Sequence, residues 1–373
     1  MGLLDYYKQF EALSEEEINS ELREQAAERR ALELTRVEAL DLSQTTWPYP
    51  PHADVVSAVT FVARRGMHSY PRETELASEL SHRLGVPVER IAIGNGASEL
   101  LQSATGALIR PGQALLTHWP SHPLFPTMAR RAHGVAVPVG ESDPTALLAA
   151  AAKHDTRVIA LASPNDPTGE LISATQLDTL LAVLPESVAV LLDESLIEYA
   201  DPAVRGASLE LLERYPRLLV FRSFSKAWGL AGLRCGYAIG GPGAESLLAE
   251  LVPEHGVSEL TQAAALETLR ACSRQVERRC RVLAEQRAAL TSALREHGIE
   301  VADSQANFLW VAHPQMPGGE LAARLAESGV LVAAGAPLGE PGHVRITVRD
   351  RAASERLLSA MDAALAAPAG SAG

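Results

Sequence analysis

Ser223-Phe-Ser-Lys-Ala-Trp-Gly-Leu-Ala-Gly-Leu-Arg234-Cys-Gly-Tyr237 decides the reading of this chain. The segment follows directly on the apolar run Leu218 to Phe221, and it sets Lys226 in a loop of hydroxyls, glycines and one arginine. Lysine is scarce here: of 33 basic residues only three are lysines, Lys8, Lys153 and Lys226. Lys8 lies in a polar N-terminal stretch and Lys153 ends an Ala-rich helical run, so both read as solvated surface amines. A lysine desolvated after a buried strand has a lowered pKa, and its neutral amine can attack an aldehyde. Ser223, Ser225 and Arg234 supply hydroxyl donors and a planar cation suited to a phosphate. A surface turn with a stray lysine is the bland alternative, disfavoured by that scarcity.

Working outward, 373 residues with 47% hydrophobic content can bury a large core, and the length suggests about two domains. A formal charge of -13 disfavours nucleic acid and anionic membrane as partners, because the overall field repels phosphate. Three cysteines, Cys235, Cys272 and Cys280, are an odd number at spacings that match neither a disulfide framework nor a zinc site. They point to a reducing compartment, the cytoplasm, and to no metal centre. Met1 to Glu17 is acidic where a signal peptide is basic then apolar, and no apolar stretch is long enough to span a bilayer.

Ser14 with Glu17 reads as a capping box opening a charged helix through about Glu33, and Trp47 to Pro51 then breaks regular structure, so residues 1–50 form an N-terminal arm. From there short apolar runs alternate with helical patterns: Arg90 to Ile93, Ala114 to Thr117, Val135 to Val139, Val158 to Ala162, Val188 to Asp193, Leu218 to Arg222 and Cys235 to Ile239. That alternation predicts an α/β domain around a mostly parallel sheet over residues 51–252. Beyond Pro253 a helical stretch from Glu259 to His297 opens a smaller domain, residues 253–366. Short strands follow at Asn307 to Val311, Val330 to Val332 and Val344 to Val348, then a helix from about Ala352. The Ala/Gly/Pro/Ser-rich residues 367–373 read as a disordered tail.

Two further segments carry chemistry. Gly94-Asn-Gly-Ala-Ser-Glu99 follows a short strand and opens an apolar helix, whose first backbone amides are ready for an anion. A dinucleotide turn would need an acidic residue about twenty positions on, and Gly112 to His118 carries none. Asp193 ends the apolar run Val188 to Leu192, where a carboxylate needs a cation or donors; capping a helix is its structural alternative.

The lysine segment resembles the lysine motif of class I/II aminotransferases, most similar to the histidinol-phosphate aminotransferase branch, with motifs in the expected order from about Thr45 to Met361. The resemblance implies fold type I: a large domain with a mostly parallel seven-stranded sheet flanked by helices, plus a smaller α+β C-terminal domain. It implies pyridoxal 5'-phosphate, with Lys226 bonding the aldehyde and moving protons and Asp193 facing the ring nitrogen. Gly96, Ala97, Ser98, Ser223, Ser225 and Arg234 would hold the phosphate. Tyr70, in His68-Ser-Tyr-Pro71, would reach the cofactor of a neighbouring subunit and so implies a homodimer; packing before a turn proline is its other reading. Arg345 would grip a substrate α-carboxylate, against a surface ion pair, and Asn307 would line the substrate site, against a strand-entry turn. The implied reaction moves an amino group between an α-amino acid and a 2-oxo acid.

Departures from the family pattern lie close to the expected ring and substrate. Asp166, in Ser163-Pro-Asn-Asp-Pro-Thr-Gly169, replaces an asparagine that donates to the cofactor's phenolic oxygen, and Leu196 replaces a tyrosine that donates to the same atom. Losing both donors leaves that oxygen less stabilised, unless Asp166 is protonated or Asn165 shifts to fill in. His122 stands where an aromatic usually stacks on the ring, with Phe125 as competing stacker or core residue. Ala333 replaces an arginine that helps hold a substrate phosphate, which points away from histidinol phosphate. These changes keep open a second pyridoxal-phosphate reaction on an amino acid, by a decarboxylase, oxidase or cyclase. A non-catalytic ligand-binding protein on the same fold is the reading from a different class.

Overall fold

The central strands carry the longest unbroken buried runs in the chain, and they set the architecture. The computed structural model describes residues 39–71, 75–140, 142–252 and 255–366, so the expected N-terminal charged helix and the C-terminal tail lie outside the described residues. Seven strands form the main sheet: β1 (Ile91–Gly94), β2 (Ala114–His118), β3 (Val135–Val139), β4 (Thr156–Ala162), β5 (Ala189–Asp193), β6 (Leu218–Ser223) and β7 (Gly236–Gly240). Their order is β1-β7-β6-β5-β4-β2-β3. β7 runs antiparallel to both its neighbours, and the remaining pairs are parallel.

Both faces of this sheet are covered, which is why the strands read as continuous apolar runs. Successive side chains alternate between two cores. Ile159, Leu161, Val190, Leu192 and Val220 enter one, and Val158, Ala160, Leu191, Leu219 and Phe221 enter the other. Phe125 is fully buried in the second core, beside Leu100 and Met128. Truncating such a leucine to alanine typically costs about 2–5 kcal/mol.

A helix of 38 residues, Glu259–Glu296, starts where the Ser258 hydroxyl accepts from the Thr261 amide at 3.2 Å. After it comes a second sheet, β8 (Glu300–Val301), β9 (Phe308–Ala312), β10 (Ala333–Ala334) and β11 (His343–Thr347), ordered β10-β11-β9-β8 with antiparallel pairs. Here the expected Val330 to Val332 strand is corrected. Val330–Leu331 is separate from β10, because the Leu331 carbonyl accepts from the Leu42 amide at 2.8 Å while Ala333 pairs with Arg345. Among the described residues no helix is long and apolar enough to cross a membrane.

Candidate active site

The parallel strands β4, β5 and β6 end together at Ala162, Asp193 and Ser223, and these three residues line one cavity. Carboxyl ends of parallel strands are where open α/β sheets hold ligands. Lys226 projects into this cavity from the loop after β6. Backbone bonds fix that loop: Phe224 N to the Cys235 carbonyl at 3.0 Å, Leu230 N to the Phe224 carbonyl at 2.9 Å and Gly229 N to the Lys226 carbonyl at 3.0 Å. The Lys226 ammonium nitrogen donates to the Thr45 hydroxyl. Burial pushes its pKa below the usual lysine range; Asp166 and Asp193 pull it up, and Arg345 and Arg234 push it further down. The surface-turn reading of Lys226 therefore fails.

Beside the lysine is an anion cradle. Ala97 and Ser98 open the helix Ala97–Leu108 and line the cavity, where first-turn amides have no intrahelical acceptor. Ser223, Ser225 and Arg234 line the same wall, with Arg234 Nη1 donating to Ser225 Oγ at 3.2 Å and to the Ala231 carbonyl at 3.1 Å. Arg234 has φ of 54°, a left-handed conformation unusual for a side-chain-bearing residue and typical of sites under functional constraint. Gly96 does not line the cavity but makes the cradle fit: its φ is 90°, and a Cβ there would stand 2.7 Å from Arg234 Nη2. Gly236 does the same from β7, where a Cβ would stand 2.4 Å from the Ala97 amide nitrogen.

Asp193 lines the cavity and its Oδ1 accepts from the Ser195 amide at 2.9 Å. It closes a turn, whereas the next short helix, Ile197–Tyr199, is preceded by Leu196, so the helix-cap alternative does not hold. An amine, an anion cradle and a carboxylate thus surround one space. They fit pyridoxal phosphate, which presents an aldehyde, a phosphate and a ring nitrogen.

Behind the loop, charges are paired out of water. Arg222 and Glu194, both buried, meet at 2.8 Å, and Trp228 Nε1 donates to Glu198 at 2.9 Å, tying the lysine loop to the short helix Ile197–Tyr199. Burial raises the Glu198 pKa.

The remaining expected residues divide. His122 lines the cavity, its Nδ1 accepting from the Leu124 amide at 3.1 Å, while Phe125 is core and cannot stack on a bound ring. Asp166 and Leu196 also line the cavity. Asn165 cannot fill in for the missing donor. Its Oδ1 accepts from Ser121 at 2.7 Å, and its Nδ2 donates to the Pro120 carbonyl at 3.1 Å and to Thr168 at 2.9 Å. Arg345 is in an ion pair, though a buried one, with Asp166. Asn307 is buried just ahead of β9 and donates to the Thr45 carbonyl at 3.0 Å, which places it one residue removed from Lys226. Tyr70, 78% exposed, stacks on His255 with ring centroids 4.9 Å apart and does not line this cavity.

Two contributors escaped the sequence reading. Thr45 lies in the segment assigned to the N-terminal arm, with no local pattern to mark it. Ser195, two residues after Asp193, lines the cavity and was signalled by the Asp-x-Ser spacing of a side-chain-closed turn.

The chain matches the family Aminotransferase class I and II over residues 38–361. It is 35% identical over 342 residues to an aromatic amino acid aminotransferase of Corynebacterium efficiens, covering 87% of this chain and 93% of that one. It is 32% identical over 320 residues to histidinol-phosphate aminotransferase 1 of Cupriavidus pinatubonensis, covering 84% and 85%. In fold it is similar to the crystal structure of histidinol-phosphate aminotransferase from Sinorhizobium meliloti in complex with pyridoxal-5'-phosphate. There the TM-score is 0.78 at 24% identity, over 88% of this chain and 91% of that one. With a family match over residues 38–361 and a cavity whose lining fits the family's cofactor, this protein belongs to the class I and II aminotransferases and is a pyridoxal-phosphate-dependent enzyme of fold type I.

Proposed function

We propose that Lys226 bonds the cofactor aldehyde and serves as the acid and base of amino transfer, that the Ala97–Ser98 amides with Ser223, Ser225 and Arg234 hold the phosphate, and that Asp193 faces the ring nitrogen. The observation that carries this reading is the placement of a desolvated lysine between an anion cradle and a strand-end carboxylate. When bound, the cofactor supplies an electron sink for the bond broken at the amine-bearing carbon. Lys226 Nζ takes and returns the proton there, favoured by a lowered pKa that keeps more of the amine neutral. Thr45 holds that nitrogen in place.

Amino acids and 2-oxo acids are the substrates of the family. The donor is unphosphorylated: Ala333, directly opposite Arg345 in the small sheet, brings no second cation for a phosphate. A second copy of the chain completes the site. Val56, Phe61, Met67 and Tyr70 are exposed together between residues 56 and 70, which supports burial of that face against a partner and a reach of Tyr70 into its cavity. Residues 51–252 act as the cofactor domain and 253–366 as a smaller one, consistent with a separate sheet in each. Three free, buried thiols support a cytoplasmic setting.

The test is borohydride reduction of the purified protein followed by peptide mass spectrometry, with amino acids then screened for release of 2-oxo acid or carbon dioxide. An adduct on Lys226 and 2-oxo acid formation are expected. An adduct elsewhere, or carbon dioxide as the product, sinks the proposal.

A further inference from the structure

Asp166 and Arg345 lie 179 residues apart in the chain and form an ion pair at the part of the cavity wall made by Asp166, with side chains 9% and 12% exposed. Asp166 forms the cavity wall, and Arg345 stands behind it. Both terminal nitrogens of Arg345 are engaged: Nη1 donates to Asp166 Oδ1 and Nη2 to the Ser43 carbonyl at 2.9 Å. Its guanidinium lies 5.4 Å from the Phe308 ring centroid. Across the strands its neighbours are Trp310 and Ala333, so neither flanking strand adds a cation. Of the other cations at the cavity, Arg234 belongs to the anion cradle and Lys226 is the reacting amine. A carboxylate entering beside Lys226 therefore meets a carboxylate first, and behind it an arginine already paired. Like charges brought together out of water repel strongly, whereas a hydroxyl there finds an acceptor.

Resting on the aminotransferase reading of this site, we propose that Asp166 is a specificity-determining residue: it competes with a substrate carboxylate for Arg345 and accepts a hydrogen bond from a hydroxyl, so that the favoured amino donor is an amino alcohol. Amino acids and 2-oxo acids still enter, by displacing Asp166 from Arg345, and bind weakly. The transfer balances without an outside oxidant. A donor R–CH(NH2)–CH2OH becomes the hydroxyketone R–CO–CH2OH, while a 2-oxo acid takes the amine and the two electrons and becomes an amino acid.

The experiment uses the holoenzyme and three matched donor pairs: alanine and alaninol, phenylalanine and phenylalaninol, histidine and histidinol. The amine half-reaction is followed alone by loss of the cofactor's visible band, and the pair turned over fastest decides. Wild type is expected to favour the alcohol in kcat/KM. In Asp166→Asn and Asp166→Ser, KM for the amino acid is expected to fall by about tenfold or more, the size of one desolvated charge pair gained, and KM for the alcohol to rise. Calorimetry with 3-phenylpropanoate, an unreactive carboxylate, should show the same tightening. A wild-type preference for the amino acid, or variants that move both donors together, overturns the role of Asp166 while leaving amino transfer standing. No half-reaction with any donor and no adduct on Lys226 overturns both readings. The wild-type comparison decides even where a variant fails to fold.

Discussion

The cavity has two ends that differ in how they are built. At the cofactor end, Ser223, Ser225, Lys226 and Arg234 come from one loop, and Ala97 and Ser98 from the start of one helix, with Gly96 and Gly236 allowing the two to touch. At the other end only Asp166 lines the wall; Ser43, Thr45, Asn307 and Arg345, from three further stretches, connect to it or to Lys226 through side-chain and carbonyl contacts. The first end is the proposed seat of the cofactor that the family shares, and it is built from two local stretches. The second is the proposed substrate side, where Asp166 pairs with Arg345 and Ala333, across the strands from Arg345, adds no charge. On the proposal above, donor preference follows from the pairing of Asp166 with Arg345.

Substitutions that act at one end should leave the other intact, and this is where the contrast can be broken. The largest effect is expected from Lys226→Ala: loss of the acid and base should lower the amino-transfer rate by at least about a thousandfold, within the range of proton-transfer catalysis. Single-turnover kinetics with added cofactor checks it, and a loss of only a few-fold would remove Lys226 from the chemistry. Next, Arg234→Gln deletes a cationic donor from the cradle and should weaken cofactor binding by roughly 10- to 100-fold, the worth of a hydrogen bond to a charged group, while the ratio of KM values between donors stays fixed. Titration of the apoprotein with pyridoxal phosphate measures it. A shift in donor preference in this variant would show that the two ends are coupled.

Gly96→Ala should cost about 1–3 kcal/mol of stability, because it forces an alanine to positive φ and pushes a methyl against Arg234. Denaturant unfolding of the apoprotein gives the value, and unchanged stability would mean the cradle is looser than the Gly96–Arg234 approach implies.

The smallest effect concerns pH. The folded-state pKa of Lys226 is depressed, so between that value and the ordinary lysine value the unfolded chain binds more protons than the folded one. Stability of the apoprotein from this residue thus rises with pH through that window and is at its lowest below it. Lys226→Met should raise the melting temperature at neutral pH, with the gain shrinking as pH approaches the ordinary lysine range. A gain that grows with pH would contradict the burial argument.

Much of this was legible beforehand. The strands β4, β5 and β6 announced themselves because both faces are buried and the apolar runs are unbroken, and the lysine loop stood out because lysine is nearly absent elsewhere. Strand ends were less sharp, since β7 begins at Gly236 and β9 at Phe308, one residue beyond where apolar pattern alone put them. The break between Leu331 and Ala333 was invisible, because two-residue strands carry no periodicity.

What the sequence determined by itself was the strand-and-loop setting of Lys226 and the glycine-led helix start, where contiguous residues of fixed type can be read along the chain. Only the tertiary structure decided the partners of Arg345, the commitment of Asn165 and the hold of Thr45 on Lys226. Those pairings join residues far apart in sequence, and the energy of a charge or hydrogen bond depends on what stands beside it in space.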